Sequence, residues 1–391
     1  MKKMYKCLAL LFTLMLPAFV FAQQAKNAAS SSPALLDFYS DFKENLEEKH
    51  GPSFGANISY MMQRAAPSGK QTAWQAIYYP TLEWKFLRDS SIGSGTINVS
   101  DIYTHYWGTE AVILEERAGV ANYINDYNAN SNLFYRLTYT HTLPGAMDWL
   151  SISAGQYSLF DFDSTTYTND QQLTLINFAM SQNAVATYPL AALGAYVTLT
   201  PYEGVQIAGG YQDATNLMGN NMHASNAFSG DYLGFMSLSY TSAFKGFGEG
   251  TYSFLGYYQP AVEERDQHSI GWSVNAQQNL HEKFVVFARV SGAENTPLAI
   301  KNSVVGGVAL LDPLGRNYND VIILGASYNR IDKDNTFDDA RTGEAAYEAQ
   351  WIWGIGDRIT ITPDIQAYPR AAYRSDDSWV FVTSARVTLK L

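Results

Sequence analysis

The sequence predicts an all-β fold, a transmembrane antiparallel β-barrel of about 16 strands, with a short N-terminal helix and a constriction loop folded inward. Three observations lead there. Stretches of period-two alternation between apolar and polar residues fill the chain from Ser53 to Leu391. After Ala22 there is no run of eighteen apolar residues long enough for a spanning helix, although 27 Tyr, 20 Phe and 8 Trp are present. Short and long connections alternate along the chain, which is how outer-membrane barrels place tight turns on one side and loops on the other.

The N-terminus comes first. Lys2, Lys3 and Lys6 precede an apolar run from Cys7 to Ala22, with Val20 and Ala22 at the small-residue positions before Gln23. This is the pattern of an export signal, and residues 1–22 are expected to be removed. Only 16% of residues are charged, and the formal net charge is -11. Loss of the three lysines leaves 23 basic and 37 acidic residues, a balance of -14. Such a chain has no basic patch for nucleic acid. Its single cysteine, Cys7, falls within the signal, so no disulfide is expected.

Residues 23–52 read as a polar lead and one amphipathic helix. Ser32 and Pro33 fit a cap and first helical position, Leu35, Phe38, Phe42 and Leu46 recur at helical spacing, and Gly51-Pro52 stops the run. The helix is expected over 33–49, packed on the body of the protein, with a plug at the periplasmic mouth as the lesser reading.

Residues 53–391 form the barrel. Phe54, Ala56, Ile58, Tyr60 and Met62 alternate with Gly55, Asn57, Ser59 and Gln63. Ala345, Tyr347, Ala349, Trp351 and Trp353 alternate with Glu344, Glu348 and Gln350. In the last strand Trp379, Phe381, Ala385, Val387, Leu389 and Leu391 share one face, opposite Ser384, Arg386, Thr388 and Lys390. Trp and Tyr near strand ends (Trp74, Tyr78, Trp84, Tyr257, Tyr258, Trp351, Trp353, Trp379) suit the lipid–water boundary. Backbone groups in lipid have no water to bond, so the sheet must close, the last strand against the first near Ser53. Lipid then covers the apolar face.

The opposite face carries Glu83, Lys85, Arg136, Glu249, Arg289, Glu344, Glu348, Arg358, Asp364 and Arg386. A barrel this wide leaves an aqueous channel, where these charges are expected to be hydrated wall residues. Thr109–Ser131 reads as an outer loop, and Phe160–Pro189 as the segment that narrows the channel. It carries Asp161, Phe162, Asp163, Asn169 and Asp170, with a helix expected over 170–180. Arg136, Arg289 and Arg358 are the wall candidates for facing it. Asp161-x-Asp163 invites a calcium reading but lacks the glycine and spacing of an EF-hand, so no cofactor or metal is expected. The six histidines are scattered without metal-ligand spacing, and neither G-x-S-x-G nor a phosphate loop is present. The sequence therefore does not read as an enzyme.

The segment Phe160–Ala214 resembles the carbohydrate-selective porin (OprB) family. The resemblance rests on the Phe160-Asp161 start, Asn169-Asp170, the segment around Phe178, Leu193-Gly194-Ala195, Pro201 and Gly210-Tyr211-Gln212-Asp213-Ala214. "GWSVNAQQNL" and "FVVFARVSGA" within Gly271–Ala293 resemble that family's late paired strands, and "ITPDIQ" (Ile361–Gln366) its penultimate strand. Two departures stand out: Ala367-Tyr368-Pro369-Arg370 replaces a glycine-asparagine turn, and the chain ends in Leu391 where barrels usually end in Phe. The resemblance implies a bacterial outer-membrane barrel that passes sugars by diffusion. Such barrels are often homotrimers, although no strand face in the sequence marks a protein partner. Two other functions fit the residues: a general or anion-preferring pore, and a surface barrel serving as adhesin or structural anchor. A barrel lipid enzyme comes last.

Overall fold

The computed structural model describes residues 33–67, 71–222, 224–225, 230–244 and 246–391. The expected export signal and the polar lead lie outside them. Among the described residues sixteen strands form one closed antiparallel barrel in which each strand pairs with its sequence neighbours. The first four are β1 (Pro52–Ala66), β2 (Ala73–Ser90), β3 (Gly93–Tyr106) and β4 (Ser131–Thr142). Next come β5 (Leu150–Tyr157), β6 (Ala192–Tyr202), β7 (Val205–Asp213) and β8 (Tyr232–Ala243). β9 (Glu249–Gln259), β10 (Ser269–His281), β11 (Phe284–Glu294) and β12 (Ile300–Leu311) follow. β13 (Val321–Ile331), β14 (Gly343–Ile355), β15 (Ile359–Tyr368) and β16 (Val380–Lys390) complete the wall.

The ends meet as the alternation requires. Ile58 pairs with Leu389 and Tyr60 with Val387, so the apolar face of β16 continues that of β1. A one-residue slip would turn Arg386 and Thr388 toward lipid, so the pattern fixes this register. No helix among the described residues is long and apolar enough to cross a membrane. The crossing is made by strands.

The helix α1 (Pro33–His50) lies at the rim where the tight turns are. Tyr39 and Phe42 meet the ring of Phe54 edge-on. Its terminal carbonyls would otherwise lack partners. Arg88 Nη1 donates to Glu48 O at 2.8 Å, and Trp84 Nε1 to His50 O at 3.1 Å.

The largest apolar core lies inside the barrel. Leu175, Ala179, Met180 and Val185 of the β5–β6 connection pack on inward-facing Val285, Phe287, Val305, Ala309 and Ile323. The Tyr167 ring stacks on Phe287 at 5.5 Å. The inner wall of β11–β13 therefore carries an apolar patch beside buried Arg289, and is not uniformly wet as the sequence suggested. Two inward segments cover it and need a surface to bury against.

The second inward segment is the β3–β4 connection, which carries helix α2 (Ala111–Ala118). The sequence reading placed it outside as a loop. Instead Ala111, Leu114 and Ala118 are fully buried, and Ile124 O accepts from Gln63 Nε2 and Gln366 Nε2 on the wall. The expected boundary residue Tyr257 also faces inward, with its hydroxyl 3.0 Å from Thr187 N.

Candidate functional site

Buried charges on the wall hold the two inward segments by their backbones. Glu348 on β14 accepts the N–H groups of Ile176 at 2.6 Å and Asn177 at 3.0 Å. Those N–H groups are thereby withheld from helical bonding, and the helix expected over 170–180 reduces to one turn, Phe178–Ser181. Glu344 accepts from Asn122 N at 2.7 Å and Ala372 N at 2.7 Å, joining the β3–β4 and β15–β16 connections. Arg386 donates to Gln171 O and to Thr174 O, the latter at 3.1 Å. Arg289 donates to Thr168 O and, at 3.0 Å, to Asn275 Oδ1.

These four groups and Asp364 are nearly fully buried. They were expected as hydrated wall charges and are instead packed beneath the loops. A buried charge is costly unless hydrogen-bonded, and orphan backbone groups of an irregular segment are costly too. Each clamp gives the buried charge and the loop backbone a partner, although among the described residues Arg289 Nη1 and Arg386 Nε stay without one.

The open part of the lumen runs along β1–β4. A cavity of about 300 Å³ is lined by Asp126, Asp161, Asn169, Asp170, Tyr79 and Tyr135. On its periplasmic side a second space of about 380 Å³ is lined by Glu47, Glu83, Asn98, Ser100 and Arg136. Tyr79 and Thr81 border both. At this junction Arg136 and Asp161 form an ion pair, and Tyr135 Oη donates to Asp161 at 2.9 Å.

A β-bulge makes this junction. Ser100 pairs with Arg136 but Ile102 pairs with Leu133, so β4 carries one extra residue. A bulge re-aims side chains, and here two successive residues, Tyr135 and Arg136, both reach Asp161. Tyr79 meets Tyr135 edge-on at 5.9 Å. Asp126 and Asp170 lie on the inward segments. Burial raises both carboxyls above their usual range, and Asp126 is raised further by its neighbour Asp170.

The other sequence candidates divide. Asp163 turns away from the open lumen. It is buried and accepts from Asn183 at 2.7 Å, Asn275 at 3.0 Å and Tyr188 at 3.1 Å. Phe162 packs among Tyr157, Tyr196 and Phe235. Arg136 and Arg289 face the β5–β6 segment, but Arg358 does not. It ends the tight periplasmic turn between β14 and β15 and lies over the Tyr39 ring of α1 at 5.3 Å. Among the described residues no group of three or more metal-ligating side chains is present.

Comparison with known proteins agrees with this architecture. The model of the "Carbohydrate-selective porin, OprB family" matches residues 226–391. A porin AaxA of Chlamydia pneumoniae is 35% identical over 321 residues, covering 82% of this chain and 73% of the relative. The porin AaxA of Chlamydia felis is 37% identical over 308 residues, covering 78% and 69%. The chain belongs to the OprB porin family. The high-pH structure of Pseudomonas putida OprB superposes with a TM-score of 0.75 over 90% of this chain and 97% of that one, at 13% identity. At that identity the likeness concerns the fold.

Family and fold are those of channel-forming outer-membrane proteins. The lining of the open lumen includes two residues that sequence reasoning missed, Tyr79 and Tyr135. Tyr79 shares the inward parity of Gln75, Ile77, Thr81 and Glu83, a signal available in the sequence. Tyr135 depends on the bulge and leaves no such trace.

Proposed function

We propose that this porin passes carbohydrates and other small uncharged polar solutes by passive diffusion. The arrangement at Arg136 and Asp161 carries the reading. A guanidinium offers fixed N–H donors and a carboxylate offers acceptors, and both already partner each other. A sugar hydroxyl can exchange into this pair without desolvating an isolated charge, so binding stays weak and reversible. The rings of Tyr79 and Tyr135 supply apolar faces for sugar C–H groups beside it. Membership of a family described as carbohydrate-selective supports the same reading.

The deciding experiment is single-channel conductance in planar bilayers with and without glucose and maltooligosaccharides. Saccharide is expected to reduce the ion current reversibly and in a concentration-dependent way. Conductance untouched by any saccharide would sink the sugar reading while leaving the pore.

A second reading concerns ions. The outer side of the constriction carries three aspartates, Asp126, Asp161 and Asp170, and Asp161 alone of them is ion-paired with Arg136. Where these carboxyls are ionised the acidic lining favours small cations over anions, which weighs against the anion-preferring alternative, and burial of Asp126 and Asp170 makes that preference grow as pH rises. Reversal potential in a salt gradient tests this directly. Residues 1–22 are proposed as a cleaved export signal, so the mature protein should begin at Gln23 when its N-terminus is sequenced.

A further inference from the structure

We propose, on the reading of this porin as an open pore, that helix α1 walls the last section of the solute path and that its Glu47 is a specificity-determining residue. The inner face of β2 measures out that path. Tyr79, Thr81, Glu83 and Lys85 share one parity, so each step of two residues moves about 7 Å toward the periplasm. Three spaces follow this face in order. The outermost reaches Tyr79 and Thr81, and the next reaches Thr81 and Glu83. The last, of about 500 Å³, reaches Lys85, with Thr96 and Ser94 of β3 beside it. Strands do not enclose this last space. Its other side is Glu44, Glu47 and Glu48 of α1, three residues that share one helical face. Glu47 also borders the space above, so it stands where the two sections meet.

The helix is fixed there by its C-terminal end. Gly51 N donates to Glu47 O at 2.9 Å, and Gly51 O accepts from Lys85 N at 3.1 Å. Gly51 has φ +91°, and a Cβ on it would collide with Lys85 O, so glycine permits this close approach of helix to strand. Arg88 donates to the carbonyls of both Glu47 and Glu48. The Glu47 side chain is therefore carried on an anchored turn, half-buried at the edge of the path.

Charge decides what this section favours. The nearby cations are already engaged. Lys85 pairs with Glu83 at 3.1 Å, and Arg88 is spent on the helix carbonyls. Lys43, one turn before Glu47, lies over the rings of Tyr39 and Phe54 at 5.4 and 5.3 Å. The Arg136 guanidinium, on the far side of the upper space, is paired with Asp161. Glu47 thus adds negative charge at the narrowing between two water-filled sections. A small cation is drawn to that point and an anion repelled, whereas an uncharged solute meets only the width of the gap.

The test uses the full chain in a Cys7→Ser background, which removes its single cysteine. Glu47→Cys and, as the control in the β10–β11 turn on the same rim, Glu282→Cys then each present one thiol. Single-channel current is recorded before and after a cationic methanethiosulfonate, with modification followed by mass. Modification is expected at both positions, with a stepwise loss of current at 47 and none at 282. No modification at 47, modification there without loss of current, or equal losses at both positions overturns the proposal. A parent channel without any current would strike the pore itself, and this proposal with it. A second measurement needs no thiol. Glu47→Gln keeps the side chain's shape and removes its charge, so the cation-to-anion permeability ratio from reversal potentials should fall about twofold, the effect of one charge several ångströms from an ion in water. Glu282→Gln should leave that ratio unchanged. A ratio unmoved by Glu47→Gln, or moved equally by both changes, overturns it as well.

Discussion

Glu348 on the barrel wall accepts the backbone N–H of Ile176 on the inward segment at 2.6 Å. The same carboxylate also takes Asn177 N, so one side chain fixes two successive peptide groups. A hydrogen bond to a charged group contributes roughly 1.5–3 kcal/mol, and an orphaned buried N–H adds a penalty when the acceptor is lost. Glu348→Ala should therefore weaken docking of the β5–β6 connection by about 3 kcal/mol while the barrel still closes. Protease should cleave within residues 158–191 faster, and single-channel current should become larger and noisier. Unchanged cleavage would show that the apolar packing of Leu175 and Met180 holds the segment alone.

Arg136 and Asp161 predict the opposite balance of fold against function. Their side chains are 32% and 24% exposed, and a pair open to water contributes about 0–1 kcal/mol. Arg136→Ala should leave the melting temperature in detergent nearly unchanged. It leaves Asp161 unpaired beside Asp126 and Asp170, so cation preference should rise and saccharide block should weaken. A reversal potential and a sugar-block constant both equal to the parent's would remove this pair from the constriction's function.

Glu115 predicts a pH dependence. It lies on α2 in the β3–β4 connection, outside the strands, and is 2% exposed. Burial pushes its carboxyl from 4.5 up to about 8, even though Asn128 and the N–H of Ile124 donate to it. The docked state thus holds the proton more tightly than the undocked one. Its stabilising effect is complete below about pH 4.5 and is lost progressively as pH rises to about 8, by up to about 1.4 kcal/mol per unit. Hydrogen exchange in residues 111–130 should quicken across that interval. Glu115→Gln should flatten the dependence, and an unflattened profile would assign the effect elsewhere.

The strands were legible because lipid outside and water or polar contacts inside impose one alternation on every strand, as in Ala345–Trp353. Closure of β16 on β1 followed from the same pattern. The destination of the inward-facing charges was not legible. A hydrated lumen and a packed loop backbone both call for a carboxylate or a guanidinium on the wall, so Glu344, Glu348, Arg289 and Arg386 read alike in either case. The inward course of residues 107–130 was hidden for the same reason, since a polar, Asn-rich loop suits either environment. Arg358 differs: it is the last residue of the turn that leads into β15, a placement that already puts it at the periplasmic rim. The bulge at Phe134–Tyr135 inserts a single residue, and nothing in local composition separates it from regular strand.

Gly325 gives a prediction opposite in sign to that of Glu348. It faces inward on β13, where an added Cβ would stand 2.8 Å from Leu175 Cδ1 and 2.9 Å from Met180 Sδ. Both neighbours are ends of flexible side chains, so Gly325→Ala should be tolerated with small rotamer shifts. Gly325→Val adds bulk that those side chains cannot yield to, and overpacking of this kind costs about 1–3 kcal/mol. The strand belongs to the closed wall, so the inward segment moves instead, away from β13 and toward the open side along β1–β4. Single-channel conductance should fall for Gly325→Val, stay near the parent's for Gly325→Ala, and rise for Glu348→Ala. A rise for Gly325→Val would mean that the segment leaves the lumen when crowded, and that the wall clamps do not hold it there.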